Sequence, residues 1–421
     1  MDNYSLYLQS LKTLISFKSV KGEAFKNAPF GIENNLALNY VLNLAESFGF
    51  KTINYDGFAG EVIFGEGEEF GIIGHLDVVP VNKGWNTDPF CLTLKNGVYY
   101  ARGVADDKGP ILACLFALKE LKDQGCFPKK KFRLIFGLNE ESGWKDVEYL
   151  KTKTTLPEIG FSPDGNFPVI YAEKGPCKID FYLPKPENVI DVSTGLNVVN
   201  AVPDYAFLNG KVDHMLAEKF NLSVNGHFIE SFGIASHGSK PELGKNAIKP
   251  ILEYLNEQNH GIFDNALNYL FYDKLQICKI GNETGYATLS PNVIKVENNK
   301  IVLSVDFRVP AKYDIEFFIP KFNSFNLEYE ITSYRKPHYV DPNDPFVKTL
   351  VSCYNSVTGE SLKPATCSGA TFASVFKKGV AFGGEFPWAN TKIHEANENI
   401  TEKDLMLLYN VYKKTIYELA K

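Results

Sequence analysis

The stretch FGIIGHLDVVP at residues 70–80 decides how this chain is interpreted. FGIIG is a short apolar run that predicts a buried strand, and His75 and Asp77 lie where that strand should end. Because side chains alternate between the two faces of a strand, His75 and Asp77 are expected to project to the same side of its tip. Strand tips are the usual place for a site in an open α/β sheet. An imidazole beside a carboxylate suits either a metal ligand with its orienting partner or a structural hydrogen bond.

Strands and helices alternate on both sides of this stretch. Strand-like segments are expected near 51–55, 60–64, 69–74 and 131–138, and helices in the first 17 residues and at 34–48, 108–125 and 144–151. This alternation indicates a layered α/β sheet with helices on both faces.

The pattern changes after Lys178. Residues 178–335 contain several β-like segments and about two helices, near 212–223 and 245–257, which is an α+β pattern. From Pro337 the α/β pattern returns. We therefore predict a discontinuous α/β domain, 1–177 and 336–421, that is interrupted by an inserted α+β domain, 178–335.

Charge and cysteine content exclude several classes of protein. The 44 basic and 50 acidic residues give a net charge of −6 without a basic stripe, so neither nucleic acid nor an anionic membrane is an expected partner. The seven cysteines are odd in number and lack CxxC spacing, which argues against a disulfide framework and a thiolate zinc site. Without an apolar leader-like segment or a run of about 18 apolar residues, a cytoplasmic protein is expected.

Four further clusters of acidic or histidine residues follow later in the chain. They are ARGVADDKGP with Asp106 and Asp107, LNEESGW with Glu140 and Glu141, FSPDGNFP with Asp164, and KIHEANE with His394. Each cluster alone has a structural explanation, such as a helix N-cap or a β-turn. Together, two histidines and three carboxylates are a natural ligand set for two divalent metal ions. A carboxylate shared by ions about 3.5–4 Å apart gives a co-catalytic centre, and the remaining acids would serve orientation and proton transfer.

The motifs resemble those of the co-catalytic zinc peptidases, a family that includes carboxypeptidase G, aminoacylase, carnosinase and succinyl-diaminopimelate desuccinylase. Within that family the chain is most similar to the peptidase V-type bacterial dipeptidases. The resemblance spans essentially the whole chain and is carried by GHLDVVP, GWNTDPF, ARGVADDKG, NEESGWKD, SPDGNFPVIYAEKG, ASHGSKPELGKNA and FGGEFPWANTKIHEANE. It implies a zinc-peptidase-like α/β catalytic domain with a mixed sheet between helices, and it implies that the inserted domain is a lid.

The resemblance also implies the ligand set. One metal ion would be held by His75, Asp106 and Asp164. The other would be held by Asp106, Glu141 and His394, so that Asp106 bridges the two ions. Zinc is the expected metal, with manganese or cobalt as alternatives.

The same motifs imply roles for the other acidic residues. Asp106 is preferred to Asp107 as the bridge because the bridging residue of the family lies two positions before a lysine. Glu140 matches the general base, and Asp77 matches the partner of the histidine ligand. The reverse assignment, with Glu140 as ligand and Glu141 as base, stays open because the two residues are adjacent.

The inserted domain supplies further candidates. His237 matches a lid histidine that stabilises the oxyanion, whereas Arg308 and Asn200 match groups that bind the C-terminal carboxylate of the substrate. Their ordinary alternatives are a solvated loop histidine, a surface arginine and a turn asparagine. Gly383 and Gly384 are expected to offer backbone N–H donors to the same carboxylate.

Three functions are compatible with this pattern. The first expectation is a metallopeptidase acting on small peptides, above all dipeptides with a free C-terminus, as a monomer or alternatively a homodimer. The second is an N-acyl amino acid deacylase or desuccinylase, and the third is a catalytically inactive peptide-binding relative. Ser374 in SGATFAS stands where relatives often carry arginine, so the substrate preference depends on a departure from the family pattern.

Overall fold

The computed structural model describes residues 2–195 and 197–421. The chain divides into two compact units. The first unit consists of residues 2–171, 340–365 and 371–421, and the second of the described residues of 172–339 together with 366–370. The sequence pattern placed the boundaries at 177/178 and 335/336 and gave no sign that 366–370 belongs with the second unit.

The first unit begins with two helices and continues with alternating strands and helices. Asp2 caps the first helix by accepting a hydrogen bond from the Ser5 N–H. The elements in chain order are α1 (Asn3–Ser16), α2 (Ile32–Ser47), β1 (Lys51–Tyr55), β2 (Ala59–Phe64), β3 (Glu68–His75), β4 (Thr93–Lys95), β5 (Val98–Tyr100), α3 (Lys108–Asp123), β6 (Lys130–Gly137), α4 (Lys145–Lys153), β7 (Ile159–Ser162) and β8 (Ile170–Glu173).

The second unit is rich in short strands. Its elements are β9 (Gly175–Pro184), β10 (Val189–Ser193), β11 (Ala201–Val202), β12 (Tyr205–Gly210), α5 (His214–Lys219), β13 (Ser223–Asn225), β14 (Phe228–Phe232), β15 (Ser236–His237), α6 (Ile248–Gln258), α7 (Asp264–Ala266), β16 (Gly281–Asn282), β17 (Gly285–Tyr286), β18 (Thr288–Glu297), β19 (Lys300–Val309), α8 (Ile319–Asn323), β20 (Glu328–Tyr334) and β21 (His338–Tyr339). The chain then continues with α9 (Pro345–Thr358), β22 (Ala365–Cys367), β23 (Lys378–Ala381), β24 (Asn399–Thr401) and α10 (Glu402–Leu419).

The main sheet of the first unit is mixed, which confirms the predicted fold class. Its strands lie in the order β1-β2-β6-β3-β7-β23-β8. The neighbours among β6, β3, β7 and β23 pair in parallel, whereas β1, β2 and β6 pair antiparallel. Because the four parallel strands run the same way, their carboxyl ends, at Gly137, His75, Ser162 and Ala381, lie on one edge of the sheet.

The uninterrupted apolar run in β3 has a simple cause, because this strand is buried on both faces. Ile72 belongs to the large hydrophobic core, and Ile73 belongs to a smaller cluster on the other face. The apolar sequence of α3 is explained in the same way, since its residues from Lys108 to Leu118 are all buried. Gly71 allows a close approach, because a Cβ there would lie 2.3 Å from the Phe376 ring.

The second unit has its own core. Antiparallel strands β18, β19, β9 and β20 form one sheet, and β10, β12, β14 and β13 form another. The amphipathic helix α6 buries Ile251, Leu252 and Leu255 in the core that these sheets share. Within the described residues of the chain, no helix has both the length and the hydropathy needed to cross a membrane.

Candidate metal centre

The carboxyl ends of three parallel strands place the predicted ligand loops side by side. His75 is the last residue of β3, and the chain reaches Glu140 three residues after β6 and Asp164 two residues after β7. Asp106 lies in the turn that precedes α3. The fold therefore brings together acidic and histidine residues that are far apart in the sequence.

The His75 ring is fully buried and held in one orientation. Its Nδ1 lies 2.9 Å from the Asp77 carbonyl oxygen and 3.5 Å from Asp77 Oδ1. Both neighbours accept hydrogen bonds, so the proton of the neutral ring is assigned to Nδ1. Nε2 faces Asp106 Oδ1, at 3.1 Å, and Asp164 Oδ2, at 3.7 Å, and would direct its lone pair to an ion bound there. This is the arrangement of a histidine ligand whose second nitrogen is fixed by a carboxylate.

Asp106 presents its two oxygens to two different histidines. Oδ1 lies 3.1 Å from His75 Nε2, and Oδ2 lies 3.0 Å from His394 Nε2. His394 Nε2 is also 3.1 Å from Glu141 Oε1. A carboxylate with one oxygen directed to each of two ligand groups has the geometry expected of a bridge between two cations.

Two buried carboxylates fix the loop that carries the glutamate pair. The N–H groups of the two residues before Glu140 donate to Asp146 Oδ2 at 2.8 and 2.9 Å. The N–H groups of Glu140 and Glu141 donate to the two oxygens of Asp77, both at 3.1 Å. Trp144 Nε1 donates to Glu140 Oε1 at 3.1 Å. The two glutamates therefore differ in their contacts: Glu140 is held by an indole, and Glu141 faces His394.

Two sets of three side chains could each hold a metal ion, because the three ligand atoms of each set lie within 4.8 Å of one another. One set consists of His75, Glu140 and Asp164, and the other of His75, Asp106 and Glu141. Glu140 is therefore close enough to act as a ligand, and the two alternatives for the glutamate pair both have a geometric basis. The contact between Glu141 and His394 favours Glu141 as the ligand that shares an ion with His394.

The electrostatics indicate an excess of negative charge. Burial, and then the negative charge of Asp106, raise the pKa of Asp164 to about 8. Burial also raises the pKa of Glu140, and the neighbouring carboxylates of Asp164 and Glu141 add to the effect. For His394, burial alone would lower the pKa, but hydrogen bonds with Asp106 and Glu141 raise it to about 11. Divalent cations would relieve this repulsion, and oxygen and imidazole donors suit zinc, so the residues fit a metal centre.

Three of the predicted residues, Asn200, His237 and Arg308, belong to the second unit. His237 ends β15 and pairs with Ala201, and the Asn200 carbonyl oxygen accepts the Gly238 N–H at 2.7 Å. Arg308 is buried in β19 and donates from Nε and Nη2 to the two oxygens of Asp306, both at 2.8 Å. Among the described residues, Arg308 Nη1 makes no hydrogen bond.

Nδ1 of the His237 ring is anchored by a residue of its own loop. The Ser239 N–H donates to His237 Nδ1 at 3.2 Å, and the Ser239 hydroxyl lies 2.7 Å from the same nitrogen. Since Nδ1 accepts, the proton of the neutral ring lies on Nε2. The Ser239 hydroxyl is also 3.1 Å from that of Ser368, which belongs to the SGATFAS segment.

Gly383 and Gly384 lie in the first unit, just after β23. Both have positive φ, at 105° and 99°, and a Cβ at Gly383 would lie 2.3 Å from the Tyr412 hydroxyl. Within the part of the chain that the structure describes, neither N–H donates a hydrogen bond. Both residues are buried.

Sequence reasoning missed several residues that position the ligands. Asp107 accepts the His75 N–H at 3.1 Å, and Gly74 leaves room for it because a Cβ there would lie 2.1 Å from Asp107 Oδ2. Asp146 holds the glutamate loop, and Glu398 holds the Asp106 turn. The position of Glu398 four residues after His394 was the only sequence signal for its role.

Comparisons with known proteins agree with this geometry. Residues 71–418 match peptidase family M20/M25/M40. The chain belongs to this family. This M20/M25/M40 peptidase is 34% identical to a Staphylococcus epidermidis protein named "Putative dipeptidase", over 98% of this chain and 97% of that protein. It is 33% identical to "Putative dipeptidase YtjP" of Bacillus subtilis, over 93% and 92% of the two chains.

Solved structures of low sequence identity share the fold of the peptidase. The M20 family metallo-carboxypeptidase Sso-CP2 from Sulfolobus solfataricus has a TM-score of 0.64 at 17% identity, with 99% of each chain covered. Human carnosine dipeptidase 1 has a TM-score of 0.60 at 16% identity, with 99% of this chain and 97% of that chain covered. The predicted family, fold class and peptide-bond hydrolase activity are confirmed, and divalent metal use follows from the family.

Proposed function

We propose that this chain is a dipeptidase that hydrolyses dipeptides with a free C-terminus at a centre of two divalent metal ions, with zinc as the first candidate and manganese or cobalt as alternatives. The observation that carries the proposal is the Asp106 carboxylate, which directs Oδ1 to His75 and Oδ2 to His394. The relatives named as dipeptidases support the small size of the substrate.

The ligand assignment follows the contacts at the centre. His75, Asp106 and Asp164 would hold one ion, which is supported by the convergence of Asp106 and Asp164 on His75 Nε2. Asp106, Glu141 and His394 would hold the other, which is supported by the contacts of His394 Nε2 with both carboxylates. Ions bound there would supply Lewis acidity toward a water molecule and the scissile carbonyl.

Glu140 is proposed as the general base. Trp144 already donates to Oε1, so Oε2 is the oxygen that would accept a proton from the attacking water. Burial raises the pKa of Glu140, which favours its protonated state after this step. The same oxygen would then deliver the proton to the leaving amine. Asp77 would keep Glu140 in place through its backbone N–H and would keep His75 in the correct tautomer.

The second unit is proposed to be a lid, 178–335 in the sequence-based bounds, that supplies substrate contacts. His237 would donate from Nε2 to the oxyanion, which is supported by the acceptor role of its Nδ1 toward Ser239. Arg308, through Nη1, and Asn200 would bind the substrate carboxylate. The backbone amides of Gly383 and Gly384 would bind the same carboxylate.

We also propose a monomer of the cytoplasm. None of the seven cysteines forms a disulfide, which suits a reducing compartment. A monomer would use its own His237 together with its own metal centre. Mixing the inactive variants Glu140→Gln and His237→Ala under subunit exchange should then recover no activity, whereas recovery well above both parents would require a dimer that shares its sites.

A substrate panel tests the proposed function. The protein is loaded with zinc, manganese or cobalt and assayed with dipeptides, C-terminally amidated dipeptides, tripeptides and N-acetyl and N-succinyl amino acids. We expect cleavage of free dipeptides and a large loss of kcat/KM on amidation, because the carboxylate contacts are lost. Preference for N-acyl amino acids would instead assign a deacylase. Two bound metal ions without hydrolysis of any substrate would indicate an inactive peptide-binding protein.

A further inference from the structure

The carboxylate of Glu398 is the centre of a buried hydrogen-bond network beside the metal centre. Oε1 accepts the N–H groups of Gly103, Ala105 and Asp106 at 3.0, 3.0 and 3.3 Å. Oε2 accepts from Arg102 Nη1 at 2.8 Å and from the Gly103 N–H at 3.1 Å. The side chains of Glu398 and Arg102 are each 1% exposed. The turn that leads into Asp106 is therefore folded around one carboxylate.

This network joins two parts of the chain that carry different ligands. Glu398 and Asp106 are 292 residues apart in sequence, yet the Asp106 N–H contacts Glu398 Oε1 directly. The carbonyl oxygen of Glu398 also accepts the Ala101 N–H at 3.1 Å. Because His394 lies only four residues before Glu398, the same network limits where its imidazole can lie relative to the Asp106 carboxylate.

Arg102 supplies a positive charge next to the Glu398 carboxylate. Its guanidinium pairs with Glu398 and lies over the Trp85 ring, with 5.3 Å between Cζ and the ring centroid. Gly103 has a φ of +85°, so the turn can direct its N–H groups inward without the strain of a side chain. Burial and the nearby Asp106 carboxylate raise the pKa of Glu398, whereas the Arg102 guanidinium and the N–H groups that donate to Glu398 act in the opposite direction and favour its anion.

We propose that Glu398 is a positioning residue that holds Asp106 and His394 at bridging distance before metal binds, so that the affinity of the metal pair depends on it. The inference rests on the proposed metal centre. Glu398 itself touches neither ion in this proposal and acts through the backbone of residues 103–106. Residues that orient metal ligands in this way typically contribute about 10–100-fold to metal affinity.

The variant Glu398→Gln tests this role with almost no change in volume. A glutamine has one acceptor oxygen and one NH₂ group, so in either orientation the NH₂ would face N–H donors that now bond to a carboxylate oxygen. The matched control is Glu395→Gln, because Glu395 lies in the same loop and is exposed. Zinc affinity and stoichiometry are measured by calorimetry, and the manganese-loaded proteins are compared by electron paramagnetic resonance.

We expect the wild type and Glu395→Gln to bind two ions and to show the same spin-coupled manganese signal. Glu398→Gln should bind at least one ion about 10–100-fold more weakly and lose most of that coupled signal. A general loss of stability would lower the melting temperature of the metal-free protein but would leave affinity and coupling of the folded fraction unchanged. Wild-type affinity and coupling in a folded Glu398→Gln protein would overturn the inference, whereas a wild type that does not bind two ions would overturn the metal centre itself.

A measurement on the unmodified protein covers the case in which Glu398→Gln does not fold. Hydrogen exchange is followed at the amides of Gly103, Ala105 and Asp106 in the metal-free protein. Slow exchange of all three before metal addition is expected if Glu398 holds the turn in advance. Exchange as fast as that of an exposed loop, with protection only after metal addition, would overturn the proposal.

Discussion

The proposed metal centre (His75, Asp106, Glu141, Asp164 and His394) and the proposed lid cluster (Asn200, His237 and Arg308) are built in opposite ways. In the metal centre, side chains from separate loops converge, and their polar atoms lie within about a hydrogen-bond length of one another. In the lid cluster, the two charged or titratable side chains each have a nearby partner in the same segment: Arg308 pairs with Asp306, and His237 contacts Ser239.

This difference separates two kinds of site. Burial, and then repulsion between the convergent carboxylates, raises the pKa values of Asp164 and Glu140, and a bound cation would balance the negative charge of these carboxylates. An anchored side chain needs no ion, because its partner already holds it. For Arg308 that partner is Asp306, and for His237 it is Ser239. Substitutions in the metal centre should therefore reduce metal affinity, whereas substitutions in the lid cluster should reduce kcat and leave metal affinity unchanged.

The largest effect is expected for Asp106→Ala. Removing the carboxylate that faces both histidines should reduce binding at both metal positions and bring peptide hydrolysis below detection. Metal stoichiometry by elemental analysis and a dipeptide assay measure the two effects. The comparison is Asp107→Ala, which removes the adjacent carboxylate that accepts the His75 N–H; it should weaken metal binding but should still bind two ions. If Asp107→Ala lost both ions and Asp106→Ala kept them, the bridge would be assigned to the wrong aspartate.

Glu140→Gln should separate proton transfer from metal binding. The amide cannot accept the proton, so kcat should fall by about 10²–10⁴-fold, the usual contribution of a general base, while both ions remain bound. Glu141→Gln is the matched comparison and should lose metal affinity, because Glu141 contacts His394. Kinetics and metal titration on both variants distinguish them. Metal loss in the Glu140 variant would exchange the two roles.

His237→Ala should lower kcat by about 10²–10³-fold without changing metal stoichiometry, because loss of an oxyanion donor affects the transition state and not the ions. His227→Ala is the control, since His227 is an exposed histidine of the same unit. Steady-state kinetics and calorimetric metal titration test the prediction. Reduced metal affinity in His237→Ala would remove the distinction between the metal centre and the lid cluster.

The last prediction is a dependence of metal affinity on pH in the unmodified protein. Because the pKa of His394 is raised to about 11 and that of Asp164 to about 8, we expect both groups to carry a proton at pH 7 in the metal-free protein. Both protons must leave before these groups can bind metal, so binding should release protons and strengthen as pH rises from 6 to 8. The change is about tenfold per pH unit for each proton released. Calorimetry in buffers of different ionisation enthalpy measures the release, and its absence at pH 7 would contradict these protonation states.

Local sequence patterns predicted most of the elements that carry the metal centre. The apolar run of β3 and the helical run of α3 are visible because burial on both faces leaves a continuous apolar signal. The second unit was harder to predict. A helix was expected near 212–223, but α5 ends at Lys219. It ends there because Asn221 has a φ of +54° and the Leu222 N–H donates a hydrogen bond to the Ala217 carbonyl oxygen. β13 then begins at Ser223, and no periodic pattern marks so short a strand.

The sequence by itself determined which residue types are available for catalysis: strand alternation, turn motifs and the family resemblance select His75, Asp106, Asp164 and His394 without coordinates. Only the tertiary structure decided how they are used. It placed one oxygen of Asp106 next to His75 and the other next to His394. It also placed Trp144 in contact with Glu140 and His394 in contact with Glu141, and it revealed the supporting carboxylates. These facts depend on distances between residues up to 296 positions apart, and local propensity, which acts over a few residues, carries no information about them.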